Sequence, residues 1–309
     1  MNSVGRAMAP MLYVPATFPV DKLSRLVGGM ATFRGEGYPV VRLAIDTEDA
    51  VREDDLPKAL SNIREVLASG ESNFVADVFI RVRNLQVLKW LLQLESRYRK
   101  QLAGIVVPKA DPRDFASYAG PAVSAGLRVL PILESRGMSR ASFREALLDV
   151  FEPFRAEIDC VRMGGNDLLG CLSTRRDLTH GFTIHDQLDI IGTILTEFAF
   201  EGYAVTAAVF EGIDPEYDEL FAKEVRQDIA KGMFGKTVIC PRQLGHLAEL
   251  YKVQVEDYES ARQILDTSAP AVARLNGRMD EPTTHWRWAQ RIIARADAFG
   301  VCQSATVNR

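Results

Sequence analysis

The chain has 309 residues, 47% of them hydrophobic and 25% charged, with 22 Gly and 14 Pro. These proportions exclude collagen-like, low-complexity and wholly disordered chains, and the length allows one large α/β domain or two smaller ones with a sizeable core. Lys and Arg number 37 against 41 Asp and Glu, a net charge of −4 that excludes any general attraction to nucleic acid or an anionic membrane and leaves open a local basic pocket for an acidic substrate.

Four cysteines (160, 171, 240, 302) form no Cys-x-x-Cys pair, and no His precedes residue 180. A disulfide framework, a Cys-based zinc site and a His-rich metal cage are therefore disfavoured, and a reducing cytoplasm fits. Near the start, the apolar run MLYV (11–14) is too short to span a membrane and reads as a strand; no targeting segment is expected. In chain order the further strand runs are VVRLAI (40–45), VADVFIRV (75–82), AGIVV (103–107), LRVLPIL (127–133), IDCVRM (158–163), YAVTAAVF (203–210) and KTVIC (236–240). β-branched residues enrich most of them. Helical patterns such as Leu56 to Leu67 and Pro215 to Lys231 lie between them, and Gly70, Gly104, Gly126, Gly202 and Gly235 mark joints.

Eight β-then-α units in about 250 residues predict a (β/α)8 TIM barrel over residues 1–250. A C-terminal helical extension follows over 251–309: a helix from Glu256 to Leu265, a polar connection around Asn276–Thr284, a final helix from His285, and a frayed SATVNR end.

Chemistry in such barrels gathers on the loops after the strands. There stand Asp46, Thr47, Glu48 and Asp49 after the second strand, Arg81, Arg83 and Asn84 at the third, Lys109 after the fourth and Glu134 at the end of the fifth. Gly164, Gly165, Asn166 and Asp167 follow the sixth, Glu211 the seventh, and Cys240, Pro241, Arg242 and Gln243 the eighth. Asp54 and Asp55 read as helix N-terminal acids favoured by the dipole. Arg81 and Arg83 alternate, which places both on one face; two inward arginines in a closed barrel need anionic partners. A carboxylate at Glu134, directly after VLPIL, is costly unless paired or metal-bound. Glu134 and Asp167 close neighbouring strands, and a hard divalent cation takes one or two such carboxylates with water and substrate oxygens. No GxxxxGK[ST], HExxH or GxSxG motif is present, and GMFGKT (232–237) lacks phosphate-loop spacing. His180 and His185 read as surface residues, Cys240 as a small buried hydrophobe, and Trp286 and Trp288 as packing residues.

The segments LYVPA (12–16), IDTEDAV (45–51), RVRN (81–84), VVPKAD (106–111), PILESRGM (131–138), RMGGNDLLG (162–170), AAVFEGI (207–213) and FGKTVICPRQ (234–243) occur in an order that resembles the citrate lyase β-subunit-like and 2-keto-acid aldolase superfamily. More closely, EDAVREDDLPKAL, RMGGNDLL and the tail GRMDEPTTHWRWA resemble the branch of carbon–carbon bond lyases of the TIM-barrel fold associated with tellurite-resistance operons. The resemblance implies a barrel assembled as a trimer or hexamer, with Mg2+ (Mn2+ as the alternative ion) held by Glu134 and Asp167. It implies Arg81 as the substrate-carboxylate arginine, Asp46, Glu48 and Asp49 as the acidic loop, and Lys109 as the lysine of the Pro-Lys motif.

Three departures stand out. Cys240-Pro241-Arg242-Gln243 replaces the family's His-Pro-x-Gln, and Pro15-Ala16 replaces a Pro-Gly associated with coenzyme A, which weakens a thioester substrate. The early His that serves as base in related aldolases is absent. Arg83 also takes the place of the family's Asn in Arg-x-Asn. The function expected is a Mg2+-dependent lyase or aldolase acting on a 2-keto or 2-hydroxy acid, or an acyl thioester, through a stabilised enolate. In that reading Arg81, Arg83, Gly165 and Asn166 bind substrate. Alternatives are a thioester hydrolase on the same metal and a non-catalytic barrel subunit of a biosynthetic operon. The tail around Asp280 and Glu281 is expected to cap an active site and bring Asp280 in as an acid–base group.

Overall fold

The structure is a computed structural model that describes residues 7–69, 74–268, 270–275 and 277–302. Gly70, Asn276 and the SATVNR end lie outside the described residues. In chain order the strands are β1 (Met11–Pro15), β2 (Met30–Phe33), β3 (Glu36–Pro39), β4 (Arg42–Asp46), β5 (Asp77–Arg81), β6 (Gly104–Val107), β7 (Arg128–Leu133), β8 (Val161–Met163), β9 (Val205–Ala207), β10 (Phe234–Val238), β11 (Ala273–Leu275) and β12 (Arg278–Asp280). β1 and β4 to β10 are parallel and close into a barrel, with β1 pairing both β4 and β10. This is the (β/α)8 barrel that the repeated β-then-α order predicts.

Packing divides the chain into two compact units. One is Ala9–Leu244; the other holds the described residues from Gly245 onward together with residues 7 and 8. The boundary falls inside the helix Pro241–Leu250.

In the barrel unit the helices form where apolar residues recur at helical spacing. Leu56–Ser69 buries Ala59, Ile63, Val66 and Leu67, one stripe at i, i+4, i+7 and i+8. The β2–β3 hairpin is not anticipated by the sequence. Its strands are four residues long and mostly exposed, and its turn is made by Arg34 and Gly35, both at positive φ. β9 is shorter than its apolar run, because Ala208 to Phe210 leave the sheet. β10 starts two residues before the predicted strand; its register against β9 shifts between Phe234 and Lys236, where Gly235 takes a φ of +37° open to glycine.

A closed group of charges lies outside the site, and it corrects the reading of His185. His185 is buried, not on the surface, with Nε2 2.7 Å from Asp228 Oδ1. Lys236 Nζ donates to Glu224 Oε1 at 2.9 Å and Asp228 Oδ2 at 2.7 Å, and Arg176 pairs with Glu224. The cause is Lys236 itself: a buried ammonium in a barrel strand needs acids against it, and the segment carrying His185 covers them. Burial would lower the Lys236 pKa, yet Asp228 and Glu224 hold it raised. His180, by contrast, is exposed beside Asp177.

The C-terminal unit packs the helix Val255–Leu265 against Pro282–Phe299 through Val253, Ala261, Ile264, Ala289, Ile292 and Ala296. The expected polar connection holds β12, which pairs antiparallel with β11 just ahead of it. The last helix begins at Pro282, suited to a first turn, rather than at His285. Trp286 and Trp288 are 40% and 36% exposed, against the packing expected of them. They stand ahead of the buried stripe that starts at Ala289. Among the described residues no helix is long and apolar enough to cross a membrane.

Candidate active site

Barrel register brings the first charges together. Pro15, Asp46 and Arg81 are successive cross-strand partners at the carboxyl ends of β1, β4 and β5. Asp46 Oδ1 accepts from Glu48 N at 2.8 Å and Oδ2 from Ala50 N at 3.3 Å, which curls the loop after β4. That curl turns the loop carboxylates toward Arg81. The buried Arg81 guanidinium lies 3.2 Å from Asp46 Oδ2, 2.5 Å from Glu48 Oε2, 2.8 Å from Asp49 Oδ2 and 3.5 Å from Glu134 Oε1. Burial alone would lower its pKa, but Asp46, Glu134 and Glu48 raise it and keep it charged. Burial pushes the Glu48 carboxyl up against the pull of Arg81, whereas at Asp49 Arg81, the Glu48 hydrogen bond and Lys109 together outweigh burial and the pKa falls.

Lys109 takes a left-handed φ of 48°, uncommon for a residue with a side chain. That conformation serves two contacts. Its backbone N–H donates to Glu134 Oε1 at 2.9 Å, and its ammonium lies 2.7 Å from Glu48, 3.3 Å from Asp167 and 3.5 Å from Asp49. Burial opposes the lysine's charge, but Glu48 and Glu134 raise its pKa.

Glu134 follows β7 and is 4% exposed. Burial pushes its pKa up to about 7; Arg81 pulls down and Asp167 pushes up further. Gly164, at the end of β8, is required beside it, since a Cβ there would collide with the Glu134 carboxylate. Asp167 sits in the first turn of the helix Gly165–Cys171, whose N-cap is Gly164, so Asp167 is not the cap. Asn166 Nδ2 donates to Glu211 Oε1 at 2.9 Å. A cavity of about 550 Å³ opens here, lined among others by Asp46, Asp49, Arg81, Glu134, Gly165, Asn166 and Asp167.

Arg83 does not join them. β5 ends at Arg81, so the strand alternation that would turn Arg83 inward has stopped. Its Nε donates to Thr47 O at 2.9 Å and its Nη2 to Glu48 O at 2.9 Å; it also contacts Val51 O and Glu53. It braces the acidic loop from behind. Asp280 belongs to the C-terminal unit, buried on β12, with no hydrogen-bond partner for Oδ2.

Sequence reasoning passed over Tyr13, Arg162 and Thr237, which also line the cavity. Arg162 stands in a strand of only three residues, too short for alternation to show which way it faces.

Five carboxylates at this mouth (Asp46, Glu48, Asp49, Glu134 and Asp167) face two cations, Arg81 and Lys109. An acid excess with one carboxylate held partly protonated suits an added cation. No group of three or more His, Cys, Asp or Glu side chains is arranged to hold a metal among the described residues. Glu134 and Asp167 line one cavity, and two carboxylates with water and substrate oxygens are a donor set that Mg2+ takes.

The chain belongs to the family of carbon–carbon bond lyases of the TIM-barrel fold, which it matches over residues 5–301, and is thus a carbon–carbon lyase. No curated protein matches it. Among solved structures it is similar to the CitE protein of Mycobacterium tuberculosis in complex with magnesium, acetoacetate and coenzyme A, at 20% identity and a TM-score of 0.66, over 94% of this chain and 99% of that one. It is also similar to the citrate lyase β subunit of M. tuberculosis complexed with oxaloacetate and magnesium (19% identity, TM-score 0.56, 81% and 99%). RipC from Yersinia pestis is a third (17% identity, TM-score 0.57, 79% and 94%).

Proposed function

We propose that the barrel cleaves a carbon–carbon bond in a 2-keto or 2-hydroxy acid with Mg2+ held by Glu134 and Asp167. The observation that carries this is the convergence of both carboxylates, in acid excess, on an open cavity that Arg81 also lines. The magnesium and small acids bound to the neighbouring structures support it. When bound, Mg2+ supplies Lewis acidity toward an oxygen that gains charge as the bond breaks.

The chain's own groups do the rest. Arg81 pairs with the substrate carboxylate, its guanidinium held in place by Asp46 and Asp49. Lys109, kept charged by its acid neighbours, places a positive charge at the rim. Arg83 fixes the backbone from which Glu48 and Asp49 project. Gly165 and Asn166 form the wall beside Asp167. For proton transfer we propose Asp280; Asp280→Asn should lower turnover at unchanged Mg2+ affinity, and full turnover would remove it from the mechanism. Assembly as a trimer or hexamer is checked by sedimentation. Product analysis with a panel of 2-keto and 2-hydroxy acids tests the reaction: two carbon fragments per turnover, lost in EDTA and restored by Mg2+, are expected. Turnover that survives EDTA or Glu134→Gln would overturn the reading.

A further inference from the structure

Five arginines are buried among the described residues: Arg42, Arg81, Arg144, Arg162 and Arg176. Four have a carboxylate within ion-pair distance. Arg42 has Asp159, Arg81 its acid loop, Arg144 Glu197 and Arg176 Glu224. Arg162, 2% exposed, has none, and it is the member of this set that shares with Arg81 a place in the cavity wall.

Its partners are modest. One Nη2 hydrogen bond runs to Thr237 Oγ1 at 2.5 Å, and the guanidinium lies over the Tyr13 ring at 5.4 Å. Its Nε is buried without a hydrogen-bond partner, as are those of Arg42, Arg81 and Arg176, and the neighbouring Tyr13 hydroxyl is buried without one too. A guanidinium carries five N–H donors in a fixed fork. An uncompensated buried charge is expensive, and the usual outcome in proteins is a paired one. The other four arginines follow that rule, so the missing anion at Arg162 is specific to this position. The position adjoins a cavity larger than a three-carbon acid would fill.

We infer that Arg162, with the Tyr13 hydroxyl, binds a second anionic group of the substrate, so that the lyase acts on a dianionic acid and not on a simple monocarboxylate. The Arg81 end takes the carboxylate next to the scissile region, and the Arg162 fork takes the carboxylate or phosphate at the far end. Arg162 thereby selects substrates. This rests on the lyase reading for the identity of the first anion, but not on metal binding.

Isothermal titration of the full-length protein tests it, in Mg2+ and again in EDTA. The probes are pyruvate, oxaloacetate, 2-oxoglutarate, 2-oxoadipate and 3-phosphonopyruvate. At least one dianion should bind on the order of 10- to 100-fold more tightly than pyruvate, the range of one charge-assisted hydrogen-bonded group. Preference for a dicarboxylate or for the phosphonate tells which anion the site takes, and the best chain length gives the spacing. Arg162→Met should abolish the preference, bringing the favoured dianion down to the affinity of pyruvate in the same variant, and Arg162→Lys should restore part of it. Equal affinity for pyruvate and every dianion in the wild-type protein would overturn the inference, as would a preference that survives in Arg162→Met. The wild-type comparison stands even if the variants fail to fold. Failure of the metal reading shows separately, as absence of Mg2+ binding in the same titrations.

Discussion

Two charge groups in the barrel unit, one buried and one opening on a cavity, solve the same electrostatic problem differently. Behind β10, Arg176 and Lys236 face Glu224 and Asp228, two cations against two acids, with His185 completing the contacts of Asp228. At the mouth, five carboxylates crowd two cations, and in the wall of the same cavity Arg162 has no carboxylate within ion-pair distance. The first group is balanced in charge within the chain. The second is short of a cation around Arg81 and Lys109 and short of an anion at Arg162. A balanced buried network positions structure; an unbalanced one is left to be completed by what it binds.

If that contrast is right, mutations in the two groups should break different things. The largest effect is expected on stability in the balanced group. Lys236→Met leaves Glu224 and Asp228 buried with one cation fewer, and urea unfolding should report a loss of about 3–5 kcal/mol. In the mouth, Glu134→Gln should lower turnover on the order of 10²- to 10³-fold, while the thermal midpoint at pH 8 does not fall, because one member of a crowded acid set has been neutralised. A midpoint drop as large as that of Lys236→Met would erase the distinction. Gly164→Ala drives a methyl group into the Glu134 carboxylate, and Mg2+ affinity should fall about 10- to 100-fold by calorimetry.

The Glu134 proton offers a sharper comparison. Its pKa is pushed up to about 7 from an ordinary 4.5, so the folded, metal-free protein keeps a proton that the unfolded chain releases. Stability of the metal-free protein should therefore decline as pH rises from about 4.5 to about 7. Mg2+ must displace that proton, so its affinity should rise about tenfold between pH 6 and pH 8. A flat profile would mean that Glu134 holds no proton over this range in the metal-free protein. The smallest effect is expected at Arg83, whose Glu53 contact is exposed. Arg83→Ala removes its hydrogen bonds to the Thr47 and Glu48 carbonyls and should loosen the acidic loop, raising KM a few-fold.

Much of the barrel is legible in the sequence because each strand is a short apolar run ending in a polar group. Asp46, Arg81, Glu134 and Asp167 are visible for the same reason. Arg83 misleads because alternation holds only while the strand lasts, and β5 stops at Arg81. Arg162 is hidden by brevity: β8 has three residues, too few for a period to declare which face it uses. The balanced group is hidden by distance, since Arg176 and Glu224 are 48 residues apart and nothing local pairs them. His185 reads as a surface residue among polar neighbours until Lys236 supplies the reason to bury it.

Magnesium titration calorimetry on the wild-type protein beside Glu134→Gln and Asp167→Asn tests the proposed centre most directly. We expect one Mg2+ per chain in the wild type and a loss of that binding in both variants, with each variant still folded by circular dichroism. Unchanged Mg2+ binding in either variant would contradict the site.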